Sequence, residues 1–204
     1  GEVLAMKGWA LAALLALAAC GRSDFVVTPD LRPSLDRAAL EELGEPVMLL
    51  EVPALGAATL TRIAGRNGDA VTWSTVDERT VTLEDGTLVA TRGLGPDLMS
   101  ADPANTRARL AQGGTDWAPR FVSWLDGEDQ PVFATLLCRV EERRPERLDI
   151  LGQEQPTTRV TERCKSPDYA ATNTYWLGPE GLIWKSRQWA GPELGSITVE
   201  RLIR

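Results

Sequence analysis

Thr80-Val-Thr-Leu-Glu84, Asp85-Gly86, Thr87-Leu-Val-Ala-Thr91 is two alternating runs joined by a dipeptide that favours a two-residue type I′ turn. In a hairpin of that turn, Leu83 faces Leu88 and Val81 faces Ala90, so one face is apolar throughout. Apolar residues recurring every second position with β-branched neighbours mark strands. The same period extends in both directions along the chain.

On the N-terminal side, Val47–Val52, Ala58–Ile63 and Ala70–Thr75 read as strands, and Trp73 lies in phase with Val71 as a core residue. On the C-terminal side the strands are Phe121–Leu125, Val132–Val140, Thr157–Cys164, Thr174–Leu177, Leu182–Trp189 and Ser196–Leu202. Arg139–Arg147 (RVEERRPER) gathers arginines but holds three glutamates, so it reads as a solvated strand end and loop, not a polyanion site. Ahead of the strands, Ser34 caps a short helix, Leu35–Leu43, which Gly44 ends and Pro46 cannot continue.

An internal echo runs through this pattern. Gly86-Thr-Leu-Val-Ala-Thr-Arg92 aligns with Gly181-Leu-Ile-Trp-Lys-Ser-Arg187, and Gly95-Pro-Asp-Leu98 follows as Gly191-Pro-Glu-Leu194 does. Hairpin grammar alone produces part of this, and a duplicated β-unit produces all of it. The expectation is one all-β domain over residues 34–204, of antiparallel meanders packed as a sandwich or half-barrel. Two pseudo-repeats, about 45–115 and 117–204, and a short N-terminal helix complete it.

The N-terminus has a different logic. Lys7 precedes an apolar run, Gly8–Leu17, that ends in Leu17-Ala-Ala-Cys20. A cation, a short apolar core and small residues before a cut make a secretory signal, with Met6 as a natural start. The run is far short of the ~20 residues of a membrane-spanning helix. Leu-Ala-Ala-Cys matches the bacterial lipobox, so residues 1–19 read as a lipoprotein signal peptide, Cys20 as the lipidated first residue, and 20–33 as a tether. Several acyl chains anchor stably where one does not. Gly21 is not the aspartate that commonly retains a lipoprotein at the inner membrane, so the expected location is the outer membrane, facing the periplasm.

With Cys20 assigned to lipid, Cys138 and Cys164 remain. In an oxidising compartment they form a disulfide or stay as two buried thiols, and the disulfide is the simpler reading. A net charge of −7 argues against a nucleic-acid partner, and the excess of 19 arginines over three lysines is read as compositional bias. The chain has no histidine, so Ser-His-Asp and Cys-His arrangements cannot be built and most metal sites are excluded. No phosphate-binding glycine loop is present. A carboxylate-pair glycosidase remains formally open, although nothing singles out a pair among 29 acidic residues. No cofactor is expected. Strand tryptophans either pack the core or stack on sugars. Trp176, Trp184 and Trp189 are the candidate glycan or partner contacts, and the opposite phases of Trp184 and Trp189 suggest that at least one is exposed.

Taken in order, several phrases resemble one family. They are Asn67-Gly-Asp-Ala-Val-Thr-Trp73, Asp85-Gly-Thr-Leu-Val-Ala-Thr-Arg-Gly-Leu-Gly95, Asp97-Leu-Met-Ser-Ala-Asp102, Tyr175-Trp176, Lys185-Ser-Arg-Gln-Trp189 and Gly191-Pro-Glu-Leu-Gly195. The chain resembles the YjbF-type, or group 4 capsule, lipoproteins of Gram-negative bacteria over nearly the whole mature sequence. The resemblance implies an all-β fold, no enzymatic role and no catalytic residues. It also implies an accessory part in exopolysaccharide or capsule production, beside an outer-membrane β-barrel and a periplasmic protein, with the exopolysaccharide itself as a further partner. The competing expectation is a periplasmic glycan-binding module that uses exposed tryptophan.

Overall fold

The structure is a computed structural model that describes residues 27–204. The signal peptide, Met6, Cys20 and the first part of the tether lie outside the described residues.

The strands are β1 (Val47–Val52), β2 (Ala57–Asn67), β3 (Ala70–Ser74), β4 (Thr80–Glu84), β5 (Thr87–Arg92) and β6 (Leu98–Ala101), then β7 (Ala118–Leu125), β8 (Pro131–Ile150), β9 (Gln153–Lys165), β10 (Ala170–Leu177), β11 (Ile183–Trp189) and β12 (Ser196–Ile203). All belong to one antiparallel sheet of 12 strands in the order β5-β4-β3-β2-β1-β12-β11-β10-β9-β8-β7-β6. Pairing of the first strand with the last curls the meander until its edges, β5 and β6, lie side by side. The result is a nearly closed barrel. It is a single sheet, and neither the two-sheet sandwich nor the half-barrel of the sequence expectation describes it. The duplication is not carried either: β5 is an edge strand, whereas β11 is paired on both sides.

The Asp85-Gly86 turn is present. Asp85 (φ 46°) and Gly86 (φ 81°) both take positive φ, as a type I′ turn requires. Leu83 faces Leu88, but beyond it the register slips at Val89, so that Val81 faces Thr91 and not Ala90. The bulge reverses the phase of β5 and turns Thr91 inward, where it is fully buried.

That reversal closes the seam. The chain passes from β5 to β6 through Gly93 and Gly95, both in the left-handed region, and forms no ladder. Side chains take its place. Thr91 Oγ1 donates to Asp97 Oδ1 (2.6 Å) and accepts from Leu98 N (3.0 Å), while Asp97 also accepts from Gly93 N and Leu94 N. Arg92 donates across the gap to Leu98 O and Met99 O. Open sheet edges invite pairing with other chains, and these contacts occupy part of that edge.

Inside, Met48, Leu50, Trp73, Val81, Leu88, Leu98, Trp124, Leu136 and Ile197 form the main core. Trp73 is buried, as its phase requires. β1 is buried on both faces. Its outward residues Val47 and Leu49 pack with Leu202 and Trp184 beneath Leu40, Leu148 and Ile150. The cover has two sources. A 3-10 turn, Arg32–Ser34, and helix α1 (Arg37–Glu41) bring Leu31, Leu35 and Leu40. The tip of the β8–β9 hairpin brings the rest, held by Arg37 donating to the carbonyls of Ile150 and Leu151.

α1 is shorter than the expected helix, and its cap is Asp36, whose carboxylate accepts from Ala39 N (2.8 Å). Ser34 instead donates to Leu31 O. Arg139–Arg147 lies inside β8, not in a strand end and loop. β7 pairs only as far as Cys138, so that flank of β8 then has no strand partner among the described residues. Pro145, which lacks an N–H, is tolerated there. Glu141 and Glu146 pair with Arg139, Arg163, Arg144 and Arg159 along this solvated ribbon.

Candidate functional site

Three charged residues stand in the inward phase of otherwise apolar strands. Arg120 shares a phase with Val122 and Trp124 in β7, Glu162 with Val160 and Cys164 in β9, and Arg201 with Ile197 and Val199 in β12. Charge on an apolar face is costly unless it is paired.

Arg120 and Glu162 solve this together at the centre of the barrel. Both are buried, with Arg120 Nη1 3.7 Å from Glu162 Oε2. Glu162 also accepts from Thr106 Oγ1 (2.9 Å), Asn173 Nδ2 (2.9 Å) and Tyr175 OH (3.3 Å). Burial, and after it the Glu162 charge, push the Tyr175 phenol well above its ordinary value, which keeps it a proton donor. Gln188 extends the network by donating to Gly86 O (2.8 Å) and Ser186 Oγ (2.8 Å) and accepting from Leu88 N (2.8 Å). These bonds tie β5, β7, β9, β10 and β11 to one another through the lumen.

The Cys138–Cys164 disulfide borders this network, with an S–S distance of 2.04 Å. The two residues face each other directly across the β8–β9 ladder. A Glu162 oxygen and the two sulfurs lie within 4.8 Å of one another. Sulfurs bonded to each other supply no thiolate for a metal.

Above the network, one end of the barrel opens into a cavity of about 1150 Å³. Its rim is made by the β2–β3, β4–β5 and β10–β11 turns, and helix α2 (Ala104–Gln112) lies across it. α2 was not anticipated from the sequence, because its buried face is largely polar: Thr106 and Arg109 accompany Leu110. Arg107 fastens it to Asp69, Glu84 and Asp85 on the opposite rim. Arg143 holds its far end through the carbonyls of Arg109 and Leu110.

Two cations of this mouth stand outside its ion pairs. Asp69 and Asp85 are engaged by Arg107, and Glu180 by Arg204. Arg66 and Arg201 line the same cavity and have no ion-pair or hydrogen-bond partner among the described residues. Arg201 lies over the Trp73 ring, 5.4 Å from its centroid. Burial, then the charges of Arg66 and Arg204, press its pKa below the usual arginine value. Reading the arginine excess as compositional bias hid these two residues, although an arginine in phase with Ile197 and Val199 marked one of them.

The tryptophans singled out from the sequence are buried or half-buried. Trp184 is buried beneath the β8–β9 tip. Trp189 is half-buried, edge-on to Trp124 with centroids 5.6 Å apart, and beside Tyr169. The expectation that one of the pair is exposed therefore fails: Trp184 is buried and Trp189 half-buried, each beneath aromatic or apolar neighbours. Trp176 is half-buried between Arg159 and Lys185 and donates Nε1–H to Glu146 (2.8 Å). Exposed apolar side chains lie elsewhere, at Phe121, Phe133 and Leu137 on the outer side of β7 and β8.

The N-terminal segment is fixed by a charged staple. Arg32 bonds Glu51 of β1 (2.8 Å) and Glu200 of β12 (2.8 Å), and Lys185 also reaches Glu200 (2.7 Å). The expected tether thus ends before Arg32.

Comparison with known families matches residues 22–202 to the model described as group 4 capsule polysaccharide lipoprotein gfcB, YjbF. No curated protein matches the chain. Among solved structures, the hypothetical lipoprotein YmcC of Escherichia coli K12 is similar over 100% of this chain and 98% of its own, at 18% identity and a TM-score of 0.71, which shows a shared fold. A protein from Bacteroides fragilis, described as exported and of YmcC-like fold, is 10% identical with a TM-score of 0.33. It matches over 78% of this chain and 93% of its own, too distant a likeness to carry an argument.

Proposed function

The chain belongs to the group 4 capsule polysaccharide lipoprotein family, and we propose that it is a non-catalytic accessory protein of capsule or exopolysaccharide production. In this reading Cys20 carries lipid, the body faces the periplasm from the outer membrane, and the protein acts through an outer-membrane β-barrel and a periplasmic protein of the same system. The observation that carries it is the family match, which begins two residues after the lipobox cysteine and runs almost to the C-terminus. A lumen filled largely by core and by a buried polar network supports a scaffold more than a turnover site. Phe121, Phe133 and Leu137, exposed on one side of the barrel, support a protein contact.

The test is a deletion strain assayed for surface and secreted polymer, with cross-linked capture of the tagged protein from native membranes. Reduced polymer, with recovery of a barrel or periplasmic component, is the expected result. Unchanged polymer and no such partner would overturn the proposal.

A further inference from the structure

Of the three inward-phase charges, Arg120 and Glu162 lie opposite each other as an ion pair, and Arg201 has no carboxylate partner among the described residues. It stands in the cavity with Arg66, where every acidic side chain of the lining is already engaged by Arg107 or Arg204. Arg66 and Arg201 are thus two guanidinium groups without a carboxylate of their own in a concave site, beside a rim where Arg107 alone serves Asp69, Glu84 and Asp85. The lining adds a further polar group: Thr87 Oγ1 is buried and has no hydrogen-bond partner among the described residues. Guanidinium forks match planar oxyanions such as carboxylate, and Arg201 is kept in place by the indole beneath it. The volume, about 1150 Å³, lies just above the ~300–1,000 Å³ usual for small-ligand pockets, which leaves room for more than a bare ion.

We propose that this mouth binds an acidic saccharide unit, with Arg66 and Arg201 receiving its carboxylate and Thr87 and the α2 backbone bordering the sugar. The inference rests on the capsule-polysaccharide reading above and names the chemistry of the ligand. Recognition is by charge and hydrogen bonding, not by stacking on exposed tryptophan. Arg107 and Arg143 hold α2 across the opening, so the ligand enters beside that helix.

The test uses the full lipidated chain in detergent and isothermal titration calorimetry. A galacturonate tetrasaccharide, inorganic phosphate and the neutral cellotetraose serve as probes. The tetra-uronate should bind in the micromolar to low-millimolar range and weaken as salt rises. Arg201→Gln and Arg66→Gln should each weaken it at least tenfold, while Arg201→Lys keeps part of the affinity. Cellotetraose should not bind. Arg66 sits at an exposed hairpin end, so Arg66→Gln decides the question if Arg201→Gln fails to fold, with melting temperature as the control. Uronate binding that is absent, shared with cellotetraose, or indifferent to both variants overturns the inference, as does binding of phosphate alone. Complementation separates the two proposals. If deletion lowers polymer output but the double variant restores it fully, the saccharide site is wrong and the accessory role stands.

Discussion

Gln188 on β11 holds the main chain of β5 across the lumen, accepting from Leu88 N and donating to Gly86 O, each at 2.8 Å, through a side chain 100 residues further along the sequence than Leu88. The amide does for an edge strand what a neighbouring strand would do, on the face where β5 meets the interior. Gln188→Ala leaves a buried N–H and a buried carbonyl unpaired. The expected cost is about 2–4 kcal/mol, read as a lower denaturation midpoint with an unchanged m-value. A loss under half a kcal/mol would show that water or a local shift replaces the amide.

The Cys138–Cys164 bond closes a loop of 26 residues, which in the chain-entropy account stabilises the fold by about 3.5 kcal/mol. The Cys138→Ala/Cys164→Ala double variant should therefore melt many degrees lower. Mass analysis of unreduced wild type should find no alkylatable thiol at either position. Two alkylated residues in native material would contradict the bond.

Acid should loosen the N-terminal staple. Burial alone would raise the Glu200 pKa, but hydrogen bonds from Arg32 and Lys185 outweigh it and hold the carboxyl below its ordinary 4.5. A carboxyl depressed in the folded state contributes stability that is complete above the unfolded value and is lost as pH falls through the folded one. Wild-type melting temperature should fall below about pH 4.5, and Glu200→Gln should be less stable at neutral pH with a shallower acid limb. Parallel acid limbs in the two proteins would show that Glu200 does not titrate this stability.

Anchoring should depend on one thiol. Cys20→Ser removes the lipid acceptor, and with it the several acyl chains that make attachment stable. The variant should leave the outer-membrane fraction for the soluble or inner-membrane fractions. Wild-type recovery with outer membrane would show that the anchor lies elsewhere.

Much of this protein is written locally. The Asp85-Gly86 turn, the inward place of Trp73 and the strand pattern on both sides follow from two-residue periodicity and from the positive φ that an Asp-Gly turn tolerates. With Cys20 assigned to lipid, counting thiols makes the Cys138–Cys164 bond the simpler of two readings, and the structure forms it. Long-range geometry set the rest. Alternation says which residues share a face, but not how far a sheet curls or which strand closes it, so a sandwich and a barrel read alike until β1 meets β12. The bulge at Val89 could not be read from the turn, because it is stabilised from outside the hairpin by Asp97 at the seam. Trp184 and Trp189 are covered by segments more than 30 residues away or on other strands, so their phase in β11 does not reveal their exposure. Arg201 is the sharpest case. Its inward phase is visible in the sequence, but whether a carboxylate waits opposite depends on which strands the barrel brings together. At that place it brings Arg66.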